Sequence, residues 1–133
     1  MRKQELQIAL HTETEKGDII TLINRHGLRI KWDCREFVVP RYFESDGMSV
    51  PRFLWWLIAP QIHPRTLRAA LAHDYIYRVQ PERWTRADAD RMFYDLMVAD
   101  GFWKPLAWIA YKGVSWFGGY SWNESYARNR EGR

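Results

Sequence analysis

The sequence predicts an α+β fold, with N-terminal antiparallel β-hairpins followed by three or four helices whose central pair is antiparallel. Three observations predict it. The 133 residues are 47% hydrophobic and 27% charged, which suits a single domain with one core. Residues 1–44 alternate short β-rich runs with turn residues. After Pro51 the pattern becomes helical and is punctuated by proline and glycine.

The N-terminal region, residues 1–44, reads as three or four short strands. Branched and alternating apolar residues favour strands, and Gly, Asn and Asp between them favour tight turns. The predicted strands are residues 6–10, 18–23, 28–32 and 36–40, with turns at 24–27 and 33–35. This spacing is typical of antiparallel hairpins.

The helical region begins after a segment, residues 45–63, that we predict as a loop and a short helix. The short helix covers the apolar run 53–58 and stops at Pro60. Pro64 suits the first turn of the next helix, which we predict to run to Val79.

Two more helices follow. Thr85 and Asp88 have the spacing of a capping box, so a helix should start there and run to about Ala99, before Asp100-Gly101. A further helix should open at Pro105, reach about Trp116 and end at Gly118-Gly119. Residues 64–122 are thus predicted to be helical and residues 123–133 to form a polar tail.

Composition excludes several classes of protein. A single cysteine, Cys34, rules out an intramolecular disulfide and a cysteine-rich zinc module. The net charge of +4 is spread along the chain, so the sequence does not favour nucleic acid as a partner. No apolar signal segment follows the charged N-terminus, and two lysines within residues 102–122 argue against a membrane span.

The candidate chemistry centres on His73. His73 and Tyr77 are four residues apart and share a helix face, while Asp74 flanks the same cleft. A short connection makes the next helix an antiparallel neighbour, so that Asp90 can face His73. A carboxylate on one imidazole nitrogen fixes the tautomer and leaves the other nitrogen to take a proton from water. The spacing therefore predicts His73 as base and Asp90 as its orienting partner.

A metal ion would complete this site for ester hydrolysis. Asp74 remains available for a hard cation such as Ca²⁺, and the turn at Asp46-Gly47 could bring a carboxylate or carbonyl oxygens beside it. A cluster of Asp46, His73, Asp74 and Asp90 would also suit a transition metal. The structural alternatives are that Asp46-Gly47 is only a turn and that the His–Asp–Tyr group only rigidifies the helix pair.

Three stretches resemble the domain-of-unknown-function family 1353, which is found mainly in tailed bacteriophages and prophages. They are residues 45–56, 68–77 and 89–93, and they occur in the family's order. The resemblance implies a phage or prophage gene and no established activity.

A second, local resemblance concerns the helix pair. His73-Asp74-x-x-Tyr77 and Asp90-x-x-Phe93 are similar to the catalytic helices of phospholipase A2 enzymes. That resemblance implies that His73 is the general base for water, Asp74 binds Ca²⁺, Asp90 orients His73 and Tyr77 supports it. The superfamily's glycine-rich calcium loop is absent as such, so Asp46-Gly47 would replace it. An HD-type phosphohydrolase also uses a His-Asp pair, but His63 and His26 do not obviously supply its further ligands.

Two functions remain open from the sequence. One is a Ca²⁺-assisted, phospholipase A2-like ester hydrolase. The other is a non-enzymatic phage tail or assembly protein. Aromatic residues with interspersed lysines in 102–117 suit either core packing or docking on lipid, so the expected partners are a membrane surface or phage structural proteins. The expected location is the bacterial host cytoplasm or the virion.

Overall fold

A computed structural model of the chain describes residues 6–14, 17–45 and 64–131. The chain divides into two compact units, Met1–Gly47 and Met48–Arg133. The described part of the first unit is built of strands and that of the second of helices. The predicted α+β fold class is confirmed. The short helix predicted over residues 53–58 lies outside the described residues.

The first unit forms two antiparallel sheets. The strands are β1 (Ile8–Thr14), β2 (Gly17–Leu22), β3 (Leu28–Trp32), β4 (Arg35–Val39) and β5 (Glu44–Ser45). One sheet is three-stranded in the order β1-β2-β5, and the other is the two-stranded pair β3-β4. Four of them correspond to predicted strands. The two-residue β5 was not predicted, because so short a run carries no periodicity.

The hairpin from β3 to β4 shows why this region folds locally. Leu28 and Ile30 are buried while Arg29 and Lys31 are exposed, which is the alternation of a half-buried strand. Trp32 pairs with Arg35, so only Asp33 and Cys34 form the loop. Both have positive φ, 48° and 61°, as a type I′ turn requires.

The second unit contains four helices within its described residues. They are α1 (Pro64–Val79), α2 (Arg86–Ala99), α3 (Lys104–Phe117) and α4 (Gly119–Glu131). The predicted capping box of α2 is confirmed, because the Thr85 hydroxyl accepts from the Asp88 N–H at 3.1 Å and the Thr85 N–H donates to the Asp88 carboxylate at 3.3 Å.

Helices α1 and α2 are antiparallel neighbours, as predicted. The guanidinium of Arg68, early in α1, donates two hydrogen bonds of 2.9 and 2.8 Å to Asp100, which caps the end of α2. Arg65 also reaches the Gly101 carbonyl oxygen at 3.2 Å. Fully buried apolar side chains of the two helices form the core between them: Leu71, Ile76, Met92 and Met97.

The prediction for the C-terminal region is correct for the end of α3 and wrong for the tail. Helix α3 ends at Phe117 with Gly118 as its C-cap, as the glycine pair predicts, but a further helix, α4, runs from Gly119 to Glu131 where we expected a polar tail over residues 123–133. Gly118 has an ordinary helical conformation, φ −77° and ψ −9°, so it does not turn the chain away as a left-handed glycine would. Asn129 also donates to the Arg78 carbonyl oxygen at 2.9 Å, which fastens α4 to the end of α1.

The membrane expectation concerns residues 102–122, which correspond to α3 and the start of α4. Among the described residues, no helix combines the length and apolar character needed to cross a bilayer.

Candidate functional site

The centre of the candidate site is a contact between α1 and α2. His73 Nε2 lies 2.8 Å from Asp90 Oδ1, a buried hydrogen bond between residues 17 positions apart. Only 6% of His73 and 3% of Asp90 is exposed. The antiparallel arrangement of the two helices therefore brings the predicted base and its predicted partner together.

Tyr77 joins the same carboxylate. Its hydroxyl donates a 2.6 Å hydrogen bond to Asp90 Oδ1, the oxygen that His73 also contacts. One helical turn separates His73 from Tyr77, and their ring centroids are 4.2 Å apart. The structure thus gathers His73, Tyr77 and Asp90 into one cluster, which we call the His–Asp–Tyr cluster.

Aromatic rings surround the cluster. Phe93 lies 4.9 Å from His73 between ring centroids, and Trp122 of α4 meets Tyr77 edge-on at 5.2 Å. In such a setting the local dielectric is low, so each hydrogen bond to Asp90 is stronger than it would be in water. Trp122 is a contributor that the sequence did not single out, because it belongs to the segment between the expected helix end and the expected tail.

Arg86 is the other residue that sequence reasoning missed. Its Nε donates to the Tyr77 hydroxyl at 3.3 Å and lies 4.0 Å from Asp90 Oδ2. Its terminal nitrogen donates to the carbonyl oxygens of Val114, at 3.2 Å, and Ser115, at the end of α3. The four-residue spacing between Arg86 and Asp90 was the available signal, since such pairs face each other on a helix.

The Tyr77 hydroxyl is held in its protonated form. Burial raises its pKa above the ordinary value, and the adjacent Asp90 charge and hydrogen bond raise it further, while Arg86 acts in the opposite direction. Tyr77 is therefore a permanent donor to Asp90 at any physiological pH.

Gly118 leaves room for that hydroxyl. A Cβ atom at position 118 would lie 2.6 Å from Tyr77 Oη, closer than real Cβ atoms approach a neighbour. Gly118, which ends α3 as predicted, therefore also lets the α3–α4 junction pass close to Tyr77.

The orientation of His73 determines what it can do chemically. With Asp90 accepting a proton from Nε2, a neutral imidazole carries its lone pair on Nδ1. Nδ1 is then the nitrogen that can accept a proton, and the buried carboxylate stabilises the resulting imidazolium.

The predicted metal ligands are not brought together by the described residues. Asp74 is half-buried beside His73, whereas Asp46 and Gly47 lie outside the described residues. Within residues 6–14, 17–45 and 64–131, no three His, Cys, Asp or Glu side chains form a group that could hold a metal ion. Ca²⁺ takes six to eight oxygen ligands, so these residues alone do not fit it.

An open groove of about 610 Å³ lies where the α1–α2 connection meets α4. Trp122 belongs both to this groove and to the aromatic surroundings of Tyr77. Its other lining residues are mostly polar or aromatic: Val79, Gln80, Pro81, Glu82, Arg83, Trp84, Tyr126, Asn129 and Arg130. The sequence did not predict it, because it forms against the unexpected helix α4.

Comparison with known proteins finds an uncharacterised relative. The chain is 32% identical over 75 residues to the uncharacterized protein y4iH of Sinorhizobium fredii (strain NBRC 101917 / NGR234). The match covers 56% of this chain and 30% of the relative, so the chain spans under a third of that protein. No solved structure matches the chain.

A protein family also matches, over residues 24–114, which include the β3–β4 hairpin, α1, α2 and most of α3. All three members of the His–Asp–Tyr cluster lie inside the match, while Trp122 lies beyond it. The match covers well over half of the chain and bears out the resemblance drawn from the motifs. The chain belongs to the family described as protein of unknown function, DUF1353.

Proposed function

We propose that the chain is a hydrolase of phospholipase A2-like chemistry that uses His73 to activate water against a carboxylic ester. The observation that supports it best is the 2.8 Å contact from His73 Nε2 to Asp90 Oδ1, with Tyr77 bonded to the same oxygen. A purely apolar helix pair would not need a buried carboxylate, which is costly to remove from water. A role in orienting a catalytic base would explain why the chain buries a carboxylate at this cost.

The proposed reaction starts at Nδ1 of His73. Nδ1 takes a proton from a water molecule, and the water oxygen bonds to the ester carbonyl carbon. The tetrahedral intermediate then breaks its bond to the alcohol oxygen, which receives the proton back from the imidazolium. Asp90 stabilises the imidazolium, and Tyr77 and Arg86 keep the carboxylate in position.

Ca²⁺ remains part of the proposal, with Asp74, Asp46 and Gly47 as its expected ligands. When bound, a hard cation would polarise the ester carbonyl. Calorimetric titration with Ca²⁺ tests this part separately. Ca²⁺ binding by the wild type that is lost in Asp74→Asn supports this part of the proposal. A folded wild type that gives no heat of Ca²⁺ binding contradicts it.

The deciding experiment is a hydrolysis assay on phospholipid vesicles and on a soluble short-chain ester, with and without Ca²⁺. We expect His73→Asn to lower kcat by about 10²- to 10⁴-fold, the usual contribution of a general base. The matched control is His26→Asn, since His26 is an exposed histidine of the first unit and should retain full activity. A wild type without turnover, or a His73→Asn protein as active as wild type, contradicts the proposal.

A second test uses the wild type alone, because His73 is buried and its substitution also affects folding. Long-range ¹H–¹⁵N NMR of the wild type should show the Nε2-protonated tautomer of His73, with Nδ1 unprotonated. The opposite tautomer would also contradict the proposed role of Nδ1.

A second candidate function is a non-enzymatic phage tail or assembly protein. The burial of the cluster favours it, since 6% or less of His73, Tyr77 and Asp90 is exposed. The groove described above is lined by other residues. In that role the cluster would only fix the α1–α2 pair. Mass spectrometry of purified virions from a strain carrying the gene would detect the protein there, and a lipid-inert protein in the virion would favour this candidate.

A further inference from the structure

The outer face of α3 carries a regular pattern of charge and aromatic residues. Lys104, Trp108, Lys112 and Trp116 follow each other at intervals of four residues, so they form one slowly winding row on the helix. We call this row the outer stripe. The buried residues of α3 lie on its other side: Ala107, Ala110, Gly113 and Val114.

The stripe is exposed in the folded protein. Trp116 is 72% exposed and Trp108 is 44% exposed, and Tyr120, at the start of α4, is 80% exposed. Large aromatic side chains are seldom this exposed without a partner surface, especially in a contiguous row. Packing against Tyr94 and Tyr111 accounts for part of the Trp108 ring. Core packing, one of the two explanations open from the sequence, does not account for the exposure of Trp116 and Tyr120.

The charge of the stripe has one sign. No acidic residue occurs between Asp100 and Glu124, whereas Lys104 and Lys112 both lie on the stripe. The ammonium of Lys112 lies 4.8 Å from the centre of the Trp108 ring, so charge and indole are presented together. On the neighbouring helix, Asp95 forms an ion pair with Arg91 at 3.4 Å. The charge of Asp95 is therefore offset, and the net charge on this side of the unit stays positive.

Indole and phenol rings favour the headgroup region of a bilayer, and lysines favour anionic phosphate in the same layer. We propose that the outer stripe docks the protein on the surface of an anionic phospholipid bilayer. The four-residue spacing lets both indoles and both ammonium groups reach one flat surface. The docking stands on α3 alone and does not depend on hydrolysis. If both proposals hold, the bilayer supplies the ester.

Vesicle flotation tests the docking. The full chain is mixed with vesicles of phosphatidylglycerol and phosphatidylcholine, or of phosphatidylcholine alone. We expect binding to the anionic vesicles that weakens as salt is raised, because counterions screen the lysines. Changing Lys104→Gln and Lys112→Gln together should weaken binding about 30-fold, since each cation near an anionic membrane contributes about a factor of five.

The indoles are tested by Trp116→Ser, which removes a side chain that is mostly in water and should leave the fold intact. We expect about tenfold weaker binding. Two exposed residues off the stripe serve as matched controls: Trp103→Ser, at the N-cap of α3, and Lys31→Gln, on β3. Both should bind vesicles like the wild type.

Three results would overturn the docking proposal. The first is equal binding to neutral and anionic vesicles, and the second is wild-type binding by the stripe variants. The third is self-association of the chain that is lost in Trp116→Ser, because it would show that the stripe binds a second copy of the chain. His73→Asn should float like the wild type, and the stripe variants should keep their activity on the soluble ester. A failure of docking is therefore distinguishable from a failure of the hydrolase proposal.

Discussion

At the scale of single residues, Asp90 is the most demanding position in the chain. Its carboxylate is almost completely buried and is bonded by His73 and Tyr77 on one oxygen, with Arg86 near the other. If one hydrogen-bond partner of such a carboxylate is removed, the buried interior offers no water to take its place, and the carboxylate is left with too few hydrogen bonds. The cluster should therefore respond sharply to small changes in its members.

Tyr77→Phe removes one hydroxyl and keeps the ring that contacts His73 and Trp122. We expect a loss of about 1–3 kcal/mol in the free energy of unfolding at pH 7, because Asp90 and Arg86 both lose a partner. Urea denaturation measures it. Tyr120→Phe, on an exposed tyrosine, is the control and should change little.

The pKa of Tyr77 gives a prediction for alkaline pH. Its folded-state pKa is raised above the ordinary 10.0, so the unfolded chain releases this proton first as the pH rises. The contribution of protonated Tyr77 to the free energy of unfolding is fully present below about pH 10 and is lost progressively above it. Stability curves of wild type and Tyr77→Phe should converge above pH 10. Parallel curves would show that Tyr77 does not titrate in this way.

Cys34 carries a backbone cost in the first unit. With φ at 61° it occupies the left-handed region, which favours glycine, at the second position of the β3–β4 turn. We expect Cys34→Gly to raise the free energy of unfolding by about 0.5–1 kcal/mol, whereas Cys34→Ala should give no gain. Thermal melts of the two variants test this, and equal melting temperatures would contradict it.

At the scale of elements, helix ends determine how the second unit is assembled. Arg86, in the first turn of α2, donates to the last carbonyl oxygens of α3, and Asn129 of α4 does the same for the end of α1. Carbonyl groups in the last turn of a helix can accept such donors from other elements. Side chains distant in sequence therefore connect all four helices described here.

Arg86→Met keeps the apolar stem of the side chain and removes its donors. We expect it to lower the free energy of unfolding by about 1–3 kcal/mol, since the α3 carbonyls and the Tyr77 hydroxyl each lose a hydrogen bond. Arg91→Met is the matched control on the same helix, because its ion pair with Asp95 is largely exposed and contributes little. Equal losses in the two variants would show that Arg86 has no special role.

At the scale of the whole molecule, the chain contains two compact units, and the single domain that the sequence predicts stays a prediction. The helical unit contains fully buried residues such as Leu71, Ile76 and Met92 on its own helices. The family match runs from residue 24 to residue 114 and so includes parts of both units, but it ends before α4.

We expect residues 48–133, expressed alone, to be helical by circular dichroism and to unfold in one cooperative transition, because the helices bury apolar residues against each other. A fragment without a cooperative transition would support the single domain that the sequence predicts.

Much of this structure followed from local signals. Pro64, the Thr85–Asp88 capping box and the Asp33-Cys34 turn each act within a few residues, so their elements could be predicted at nearly the observed boundaries. The spacing of His73 and Tyr77 was equally local, and the short connection to α2 was enough to predict that Asp90 would face them. These features depend on neighbouring residues along one helix or one turn.

Other features depended on contacts between distant segments. Helix α4 has a polar sequence with little helical periodicity, and it is held by Gln80, which donates to Trp122, and by Asn129, which donates to Arg78. The link from Arg86 to the α3 end and the approach of Gly118 to Tyr77 also join residues far apart in sequence. Sequence alone determined four of the five strands described here, three of the four helices and the His–Asp–Tyr cluster. Only tertiary packing decided α4, the groove and the role of Arg86, because the free energy of those features comes from long-range contacts.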